Sequence, residues 1–128
     1  MNIDQPLTLL GGISPQEFMN RYWQKQPLLI RQAIPDYKPN LRPADIRKLV
    51  KREEVESRLI WQEDGVWNMD KGPFTKLPST RKPGWTVLAQ SVDLHDDGMA
   101  ELMRRFRFIS DARLDDVMIS VATKDGGV

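Results

Sequence analysis

The chain has 128 residues, of which 40% are hydrophobic, enough for one modest core and little more. It contains no cysteine, which excludes a disulfide framework, a thiolate zinc site and a cysteine nucleophile. Its 19 Lys and Arg residues nearly balance 18 Asp and Glu residues, so net charge gives no reason to expect a nucleic-acid partner. No apolar run approaches the roughly 18 residues that span a bilayer, and no secretion signal is recognisable, so we expect a cytoplasmic protein without a membrane segment.

The first predicted element is a helix that begins after Ser14. Ser14 can cap the helix, Pro15 suits its first position, and Glu17 can complete a capping box. Pro27 is expected to end it, because the residue before a proline is pushed out of the helical region. Residues 28–30, Leu-Leu-Ile, then predict a short apolar strand. The buried side of the helix is predicted to carry three aromatic residues: Phe18, Tyr22 and Trp23.

A second helix and a hairpin are predicted in the middle of the chain. The helix runs from Pro43 to about Arg52, because apolar residues recur there at helical spacing. Residues 58–61 and 66–69 predict two strands, and the Asp64-Gly65 pair between them is typical of a tight hairpin turn. Three prolines and two glycines between Lys71 and Gly84 indicate a long surface connection.

The last third predicts two strands around one helix. Residues 85–89, Trp-Thr-Val-Leu-Ala, are strand-like, and residues 116–122 carry a second strand. Asp96 or Asp97 can cap the helix between them. Its apolar side is expected to carry Met99, Leu102, Met103 and Phe106. Mixed α and β structure with local hairpins is therefore predicted.

Two acidic segments superficially offer catalytic chemistry. Residues 93–97, Asp-Leu-His-Asp-Asp, place His95 among three carboxylates, but adjacent residues of an extended chain point to opposite faces, and aspartates suit the start of a helix. Asp115 and Asp116, beside Arg113, could form a general-base pair. They are better explained as residues at the start of a strand, where a charged hydrogen bond holds the chain in place. We therefore predict no catalytic residue and no metal ligand in either segment.

A third segment combines cations with an aromatic side chain. Arg104, Arg105 and Arg107 surround Phe106, a mixture that single-stranded RNA binders use for phosphate contact and base stacking. Such arginines are common on amphipathic helices, so a binding module that contacts RNA or a ribosomal protein through them is kept as the alternative function. Gly126-Gly127 lacks the strand, helix and lysine context of a phosphate loop and predicts a turn.

Four segments, taken in order, resemble one known family. They are Trp23-Gln24-Lys25-Gln26-Pro27-Leu28-Leu29-Ile30-Arg31, Gly72-Pro73-Phe74, Trp85-Thr86-Val87-Leu88-Ala89-Gln90 and Arg113-Leu114-Asp115-Asp116-Val117-Met118-Ile119-Ser120. The family is the bacterial JmjC ribosomal oxygenases of the cupin-like group, which hydroxylate an arginine in a large-subunit ribosomal protein. The similarity extends from about Gln16 to Val128.

The resemblance implies an Fe(II)- and 2-oxoglutarate-dependent dioxygenase. Related oxygenases hydroxylate histidine instead of arginine, and that second alternative stays open. In the family a His-x-Asp iron motif follows a glycine turn, which here corresponds to residues 125–128, the last of the chain. We therefore expect Fe(II) and 2-oxoglutarate in the intact protein, none bound to this chain, and no activity from these residues alone.

One residue matches the family's cofactor site. The resemblance implies that Ser120 lies near the 2-oxoglutarate, where its hydroxyl group can donate to a carboxylate. An alternating strand would place Met118 on the same face. The alternative is that the Ser120 hydroxyl group only hydrogen-bonds to the backbone and does not contact a cofactor.

The resemblance also implies an α+β fold that forms the N-terminal cap and first strands of a double-stranded β-helix (cupin/JmjC) domain, with the barrel incomplete. Residues 1–110 would pack on the barrel, and residues 111–128 would begin it. A ribosomal protein substrate is the expected partner, without direct nucleic-acid contact, and an unpaired strand edge predicts self-association. Six apolar residues are expected to be buried against one another or against the rest of the barrel: Trp23, Leu29, Trp61, Trp67, Trp85 and Ile119.

Overall fold

A computed structural model describes residues 1–127, so Val128, the last residue of the predicted 111–128 domain, lies outside the described residues. The chain forms two compact units. The first consists of Met1–Lys38 with Phe108–Ser110, and the second of Pro39–Arg107 with the chain from Asp111 onward. The predicted boundary after residue 110 is the position at which a β-helix domain would begin. The division into these two units does not test that position, so the boundary stays a prediction.

The first unit contains the predicted N-terminal helix. Helix α1 spans Pro15–Arg21, and the Ser14 hydroxyl oxygen accepts a hydrogen bond of 3.1 Å from the Glu17 backbone N–H, which confirms the predicted cap. The helix ends before Pro27 is reached. Gln24 has a φ of 57° in the left-handed region, so the chain has already left the helical path.

The three aromatic residues predicted for the buried side of α1 cluster around Phe18 but are only partly buried, Trp23 included, and the strand predicted after the helix is wrong. The Phe18 ring lies 6.4 Å from Tyr22, 6.3 Å from Trp23 and 5.7 Å from Phe108, measured between ring centroids. Residues 28–30 are irregular, and Leu29 is 77% exposed. An apolar run becomes a strand only where a neighbouring strand satisfies its backbone, and this segment has no such neighbour among residues 1–127.

The second unit is an open antiparallel sheet with two α-helices. Its strand order is β2-β1-β3-β4, and each neighbouring pair is antiparallel. The predicted α+β class is therefore confirmed. The elements are α2 (Pro43–Leu49), β1 (Ser57–Glu63), β2 (Val66–Lys71), β3 (Trp85–Ala89), α3 (Asp97–Arg104) and β4 (Ile119–Ala122).

The predicted hairpin is formed by β1 and β2. Asp64 and Gly65 both have positive φ angles, 51° and 77°, as the tight turns that match strand twist require. Glu63 and Val66 face each other across the turn, and the register continues without interruption to Arg58 and Lys71. The connection from β2 to β3 is the long surface segment that its prolines and glycines predict.

One face of the sheet carries the core. All five residues of β3 are buried, and the core combines side chains of β1 and β3 with Ile46 and Leu49 of α2 and Met99 of α3. Trp85 is 2% exposed, and Trp61 and Ile119 are partly buried against this core.

Trp67 is 57% exposed. It is therefore not buried among the described residues as predicted, and neither is Leu29. Trp67 lies on an edge strand and on the face opposite the core, where few described residues cover it. Burial of either residue against a barrel stays a prediction.

Among residues 1–127 no helix is long and apolar enough to cross a membrane.

The cap of α3 provides a stability prediction. The Asp96 carboxylate accepts a 3.0 Å hydrogen bond from the Met99 backbone N–H, as predicted for this helix start. Asp96→Ala is expected to lower the free energy of unfolding by about 1 kcal/mol, because this N–H would lose its partner. Asp97→Ala is the matched control, since this exposed residue follows the cap, and should cost a few tenths of a kcal/mol. Urea denaturation followed by circular dichroism measures both; equal losses would contradict the cap assignment.

Candidate functional site on strand β4

Ser120 lies on the exposed face of β4. Ile119 and Val121 point towards the core, whereas Ser120 and Ala122 are exposed on the other face. Met118, just before the strand, is exposed as well, so the predicted alternation that puts Met118 and Ser120 on one face is confirmed. The Ser120 hydroxyl is therefore accessible to a ligand, and its proposed role at 2-oxoglutarate stays a prediction.

Three hydrogen bonds fix the chain where it enters β4. The Asp116 carboxylate accepts a 2.6 Å bond from the Ser91 backbone N–H, and the Asp93 carboxylate accepts a 2.9 Å bond from the Val117 N–H. The Val92 N–H donates to the Val117 carbonyl between them. This arrangement, the acidic clamp, confirms a strand entry held by a charged hydrogen bond. It also explains why β4 begins at Ile119 and not at Asp116.

The far end of β4 is anchored to β3 through Thr123. The Thr123 backbone N–H and hydroxyl both donate to the Trp85 carbonyl, at 3.0 and 3.2 Å. Gly126 closes the predicted turn by donating its N–H to the Thr123 carbonyl. Ser120 therefore lies on a short strand that is held at both ends, which limits its movement relative to β3.

The face that carries Ser120 continues across the neighbouring strands. Leu88 of β3 lies directly opposite Ser120, and Arg58 of β1 lies opposite Leu88. Thr86 and Gln90 flank Leu88 on the same side of the chain. Arg58 Nε, Thr86 Oγ1 and Gln90 Oε1 are buried polar atoms without a hydrogen-bond partner in the described part of the chain. This face is thus unusually rich in unsatisfied polar groups.

Sequence reasoning missed these three polar residues. Strand alternation within residues 85–90 could have placed Thr86 and Gln90 together. Their proximity to Arg58 and Ser120 depends on the pairing of three separate strands, which the local sequence does not specify.

The residues around His95 do not form a metal site. Asp93 belongs to the acidic clamp, Asp96 caps α3, and His95 ends a single turn of 3₁₀-helix formed by Val92–Leu94. In residues 1–127 no three His, Cys, Asp or Glu side chains are grouped closely enough to hold a metal ion. The donor set of the described chain therefore does not fit the iron centre that the family resemblance implies.

Two exposed ion pairs shift the pKa of a partner. The Glu54 pKa is lowered, first by a hydrogen bond from its own backbone and then by one from the Arg52 side chain. The Arg21 pKa is raised, first by its hydrogen bond with Glu17. Both pairs are exposed, lie away from β4 and are screened by solvent, so we assign them no chemical role.

The arginines of the alternative binding module are partly neutralised. Arg104 lies 2.5 Å from the Glu101 carboxylate, and Arg107 lies 3.9 Å from Asp111. Arg105 is exposed. These acidic neighbours compete with phosphate groups, so the arrangement does not favour RNA binding.

Known proteins with similar sequences point to one family. The chain is 35% identical over 112 residues to the ribosomal protein uL16 3-hydroxylase of Escherichia coli, a match that covers 88% of this chain and 30% of the relative. It is 35% identical over 122 residues to a probable ribosomal oxygenase of Haemophilus influenzae, covering 91% of this chain and 29% of that protein. No protein-family model matches the chain.

Solved structures agree with the sequence matches. The ribosomal oxygenase YcfD from Escherichia coli superposes with a TM-score of 0.81 at 34% sequence identity, over 88% of this chain and 31% of that chain. The same enzyme has been solved with cobalt and 2-oxoglutarate and with cobalt and succinic acid. By sequence and by fold, this chain is a homologue of the bacterial ribosomal oxygenases, as its motifs predict, and it spans about 30% of the length of these relatives.

Proposed function

We propose that this chain is part of an Fe(II)- and 2-oxoglutarate-dependent oxygenase that hydroxylates an arginine side chain of a large-subunit ribosomal protein. The observation that carries the proposal is the match, at a TM-score of 0.81 and 34% identity, to an enzyme solved with cobalt and 2-oxoglutarate. Cobalt is a divalent first-row ion that accepts the same nitrogen and oxygen ligands as iron. The arginine target rests on the family resemblance.

In this proposal the 128 residues contribute a scaffold and one wall of the active site. Residues 1–110 form the region that packs on the cupin barrel, and residues 111–128 begin the barrel. The open sheet, with an exposed face on β4, supports this arrangement, because a barrel closes such a face. The iron ligands and the residue that binds the distal carboxylate of 2-oxoglutarate would lie outside these residues, since the described donor set fits no metal ion.

Ser120 is the residue of this chain that we assign to the cofactor. When bound, 2-oxoglutarate and iron together supply the oxidising chemistry. Ser120 would donate its hydroxyl hydrogen to a carboxylate oxygen of 2-oxoglutarate. Its exposure and the two anchored ends of β4 support the assignment, because a fixed donor orients a carboxylate at low entropic cost.

The function is tested on ribosomal proteins from cells with and without the gene. Mass spectrometry should find one additional oxygen atom on an arginine-containing peptide of a large-subunit protein, present only when the gene is intact. The same oxygen on a histidine would replace the arginine target by the histidine alternative. Identical masses in both strains would overturn the proposal.

The role of Ser120 is tested in the protein encoded by the complete reading frame. Ser120→Ala should raise the KM for 2-oxoglutarate about tenfold or more, because a hydrogen bond to a charged group contributes about 1.5–3 kcal/mol. Ser110→Ala, which changes an exposed serine outside the sheet, is the matched control and should leave this KM unchanged. If the two variants have the same KM, Ser120 does not contact the cofactor.

Two further parts of the proposal concern the chain itself. Incubated alone with Fe(II) and 2-oxoglutarate, the 128-residue chain should form no succinate, because it contributes too few ligands; stoichiometric Fe(II) binding and turnover would refute this.

We also propose a cytoplasmic location, which would bring the enzyme to newly made ribosomal proteins.

A further inference from the structure

A pocket of about 430 Å³ opens on the core face of the β1–β2 hairpin. Leu59, Trp61 and Glu63 alternate along β1 and therefore point to one face of the sheet, and Asp70 of β2 lies opposite Leu59 on that same face. The connection from β2 to β3 forms the facing wall. The residues that line the pocket on that side are Pro78, Lys82, Pro83 and Gly84, followed by Trp85 of β3.

Hydrogen bonds hold this wall of the pocket in place. The Arg47 guanidinium donates a 3.3 Å hydrogen bond to the Pro78 carbonyl. At the other end of the wall, the Gln62 backbone N–H donates to the Gly84 carbonyl at 3.3 Å. Residues 78–84 are thus fixed at both ends. A ligand would enter a preformed pocket, so little conformational entropy would be lost on binding.

Trp61 is the aromatic side chain of the pocket that remains available to a ligand. The Trp85 ring is buried, and the Arg47 guanidinium already lies 5.9 Å from its centroid. Trp61 is only partly buried, and no cation from residues 1–127 lies over its ring. The face of an indole ring attracts positive charge, so Trp61 suits a cationic ligand.

Two carboxylates flank Trp61. Glu63 lies two residues further along β1, and Asp70 is the diagonal neighbour of Trp61 on β2, about 7–8 Å away. Both side chains are exposed, and neither forms an ion pair with another described residue. They outnumber Lys82, the one cationic side chain among the described residues that line the pocket.

This combination of charges selects the class of ligand. Unneutralised carboxylates repel phosphate groups, which disfavours nucleic acid. A divalent cation needs more ligands than two carboxylates, and the described part of the chain contains no group of three acidic, histidine or cysteine side chains that could hold one. Carboxylates beside an indole ring instead complement a basic side chain, through both charge and ring contact.

We propose that this pocket binds a basic side chain of a partner polypeptide, with the cation over Trp61 and between Glu63 and Asp70. Arginine should be preferred to lysine, because a planar guanidinium both stacks on an indole ring and donates to carboxylates. The inference goes beyond the proposed oxygenase function, since the pocket lies on the face of the sheet opposite to Ser120. Only the choice of a ribosomal protein as the partner would rest on that function.

Tryptophan indole signals in NMR spectra test the proposal. In the protein encoded by the complete reading frame, labelled with ¹⁵N at tryptophan, Nα-acetyl-arginine amide should shift the Trp61 signal saturably. The signal is assigned with Trp61→Phe. Trp67, on the other face of the hairpin, is the internal control and should not shift. Nα-acetyl-citrulline amide, the neutral isostere, should bind about fivefold more weakly or worse.

Charge substitutions test the two carboxylates in the same titration. Glu63→Gln and Asp70→Asn should each weaken binding about two- to fivefold, because each removes one exposed ion pair. Lys82→Gln should strengthen it about twofold, since it removes a like charge. Asp64→Asn is the matched control and should leave the affinity unchanged. Asp64 is exposed beside Glu63 and does not line the pocket, and asparagine also tolerates its φ of 51°.

Three results would overturn the proposal: no shift of the Trp61 signal, equal affinities for the arginine and citrulline compounds, or equal effects of Glu63→Gln and Asp64→Asn. Free arginine that binds more tightly than the capped form would overturn the polypeptide partner, because it would assign the pocket to an amino acid. The titration needs neither iron nor 2-oxoglutarate. Its outcome is therefore independent of whether a hydroxylated ribosomal protein is found.

Discussion

Replacing Trp85 with alanine is expected to lower the free energy of unfolding by about 3–5 kcal/mol, the range for a large aromatic residue removed from a core. Trp85 is 2% exposed and begins the fully buried strand β3. Its indole N–H donates a 3.1 Å hydrogen bond to the Ser79 carbonyl, and the Arg47 guanidinium lies 5.9 Å from the ring centroid. The substitution would leave a cavity and remove a hydrogen bond that holds the β2–β3 connection.

Trp67→Ala is the matched control for this prediction. It deletes the same side chain from an edge strand, where the ring is 57% exposed, and should change the unfolding free energy by about 0.5 kcal/mol or less in dilute, monomeric solution. Urea denaturation followed by circular dichroism measures both variants. Similar losses at the two positions would mean that the core does not centre on β3.

Local signals explain which elements could be predicted from sequence. The caps of α1 and α3 depend on Ser14 and Asp96, whose partners lie three residues along the chain. The Asp64-Gly65 turn combines two residues that tolerate positive φ. Each of these features is encoded within a few residues, so it can be read without knowledge of the fold.

The errors share a dependence on distant partners. Residues 28–30 have the composition of a strand but no neighbouring strand among the described residues with which to pair, and β4 begins late because Asp116 and Val117 bond to residues 91–93. Trp67 was expected to be buried because it is large and apolar. Its exposure follows from the position of β2 at the sheet edge, which the strand order determines.

In the candidate site, too, some features are encoded by neighbouring residues and others depend on distant partners. Alternation in residues 118–122 was sufficient to place Met118 and Ser120 on one face. The unsatisfied groups of Arg58, Thr86 and Gln90 share that face only because β1, β3 and β4 pair in a particular register. Pairing between strands about 30 residues apart is set by the whole sheet, and no short motif reports it.

The acidic clamp is expected to be the second large contributor to stability. Asp116→Ala and Asp93→Ala should each lower the free energy of unfolding by about 1.5–3 kcal/mol, because each removes a charged acceptor from a partly buried backbone N–H. The double substitution should cost less than the sum of the two. Once one bond is lost, the entry to β4 is already loosened, and the second bond then holds less structure.

Asp115→Ala provides the control, since Asp115 is adjacent to the clamp but exposed. It should change stability by about 0.5 kcal/mol or less. Urea denaturation of the three single variants and the double variant completes the comparison. If Asp116→Ala proves as mild as Asp115→Ala, the clamp does not hold β4, and the fixed position that we assign to Ser120 loses its structural basis.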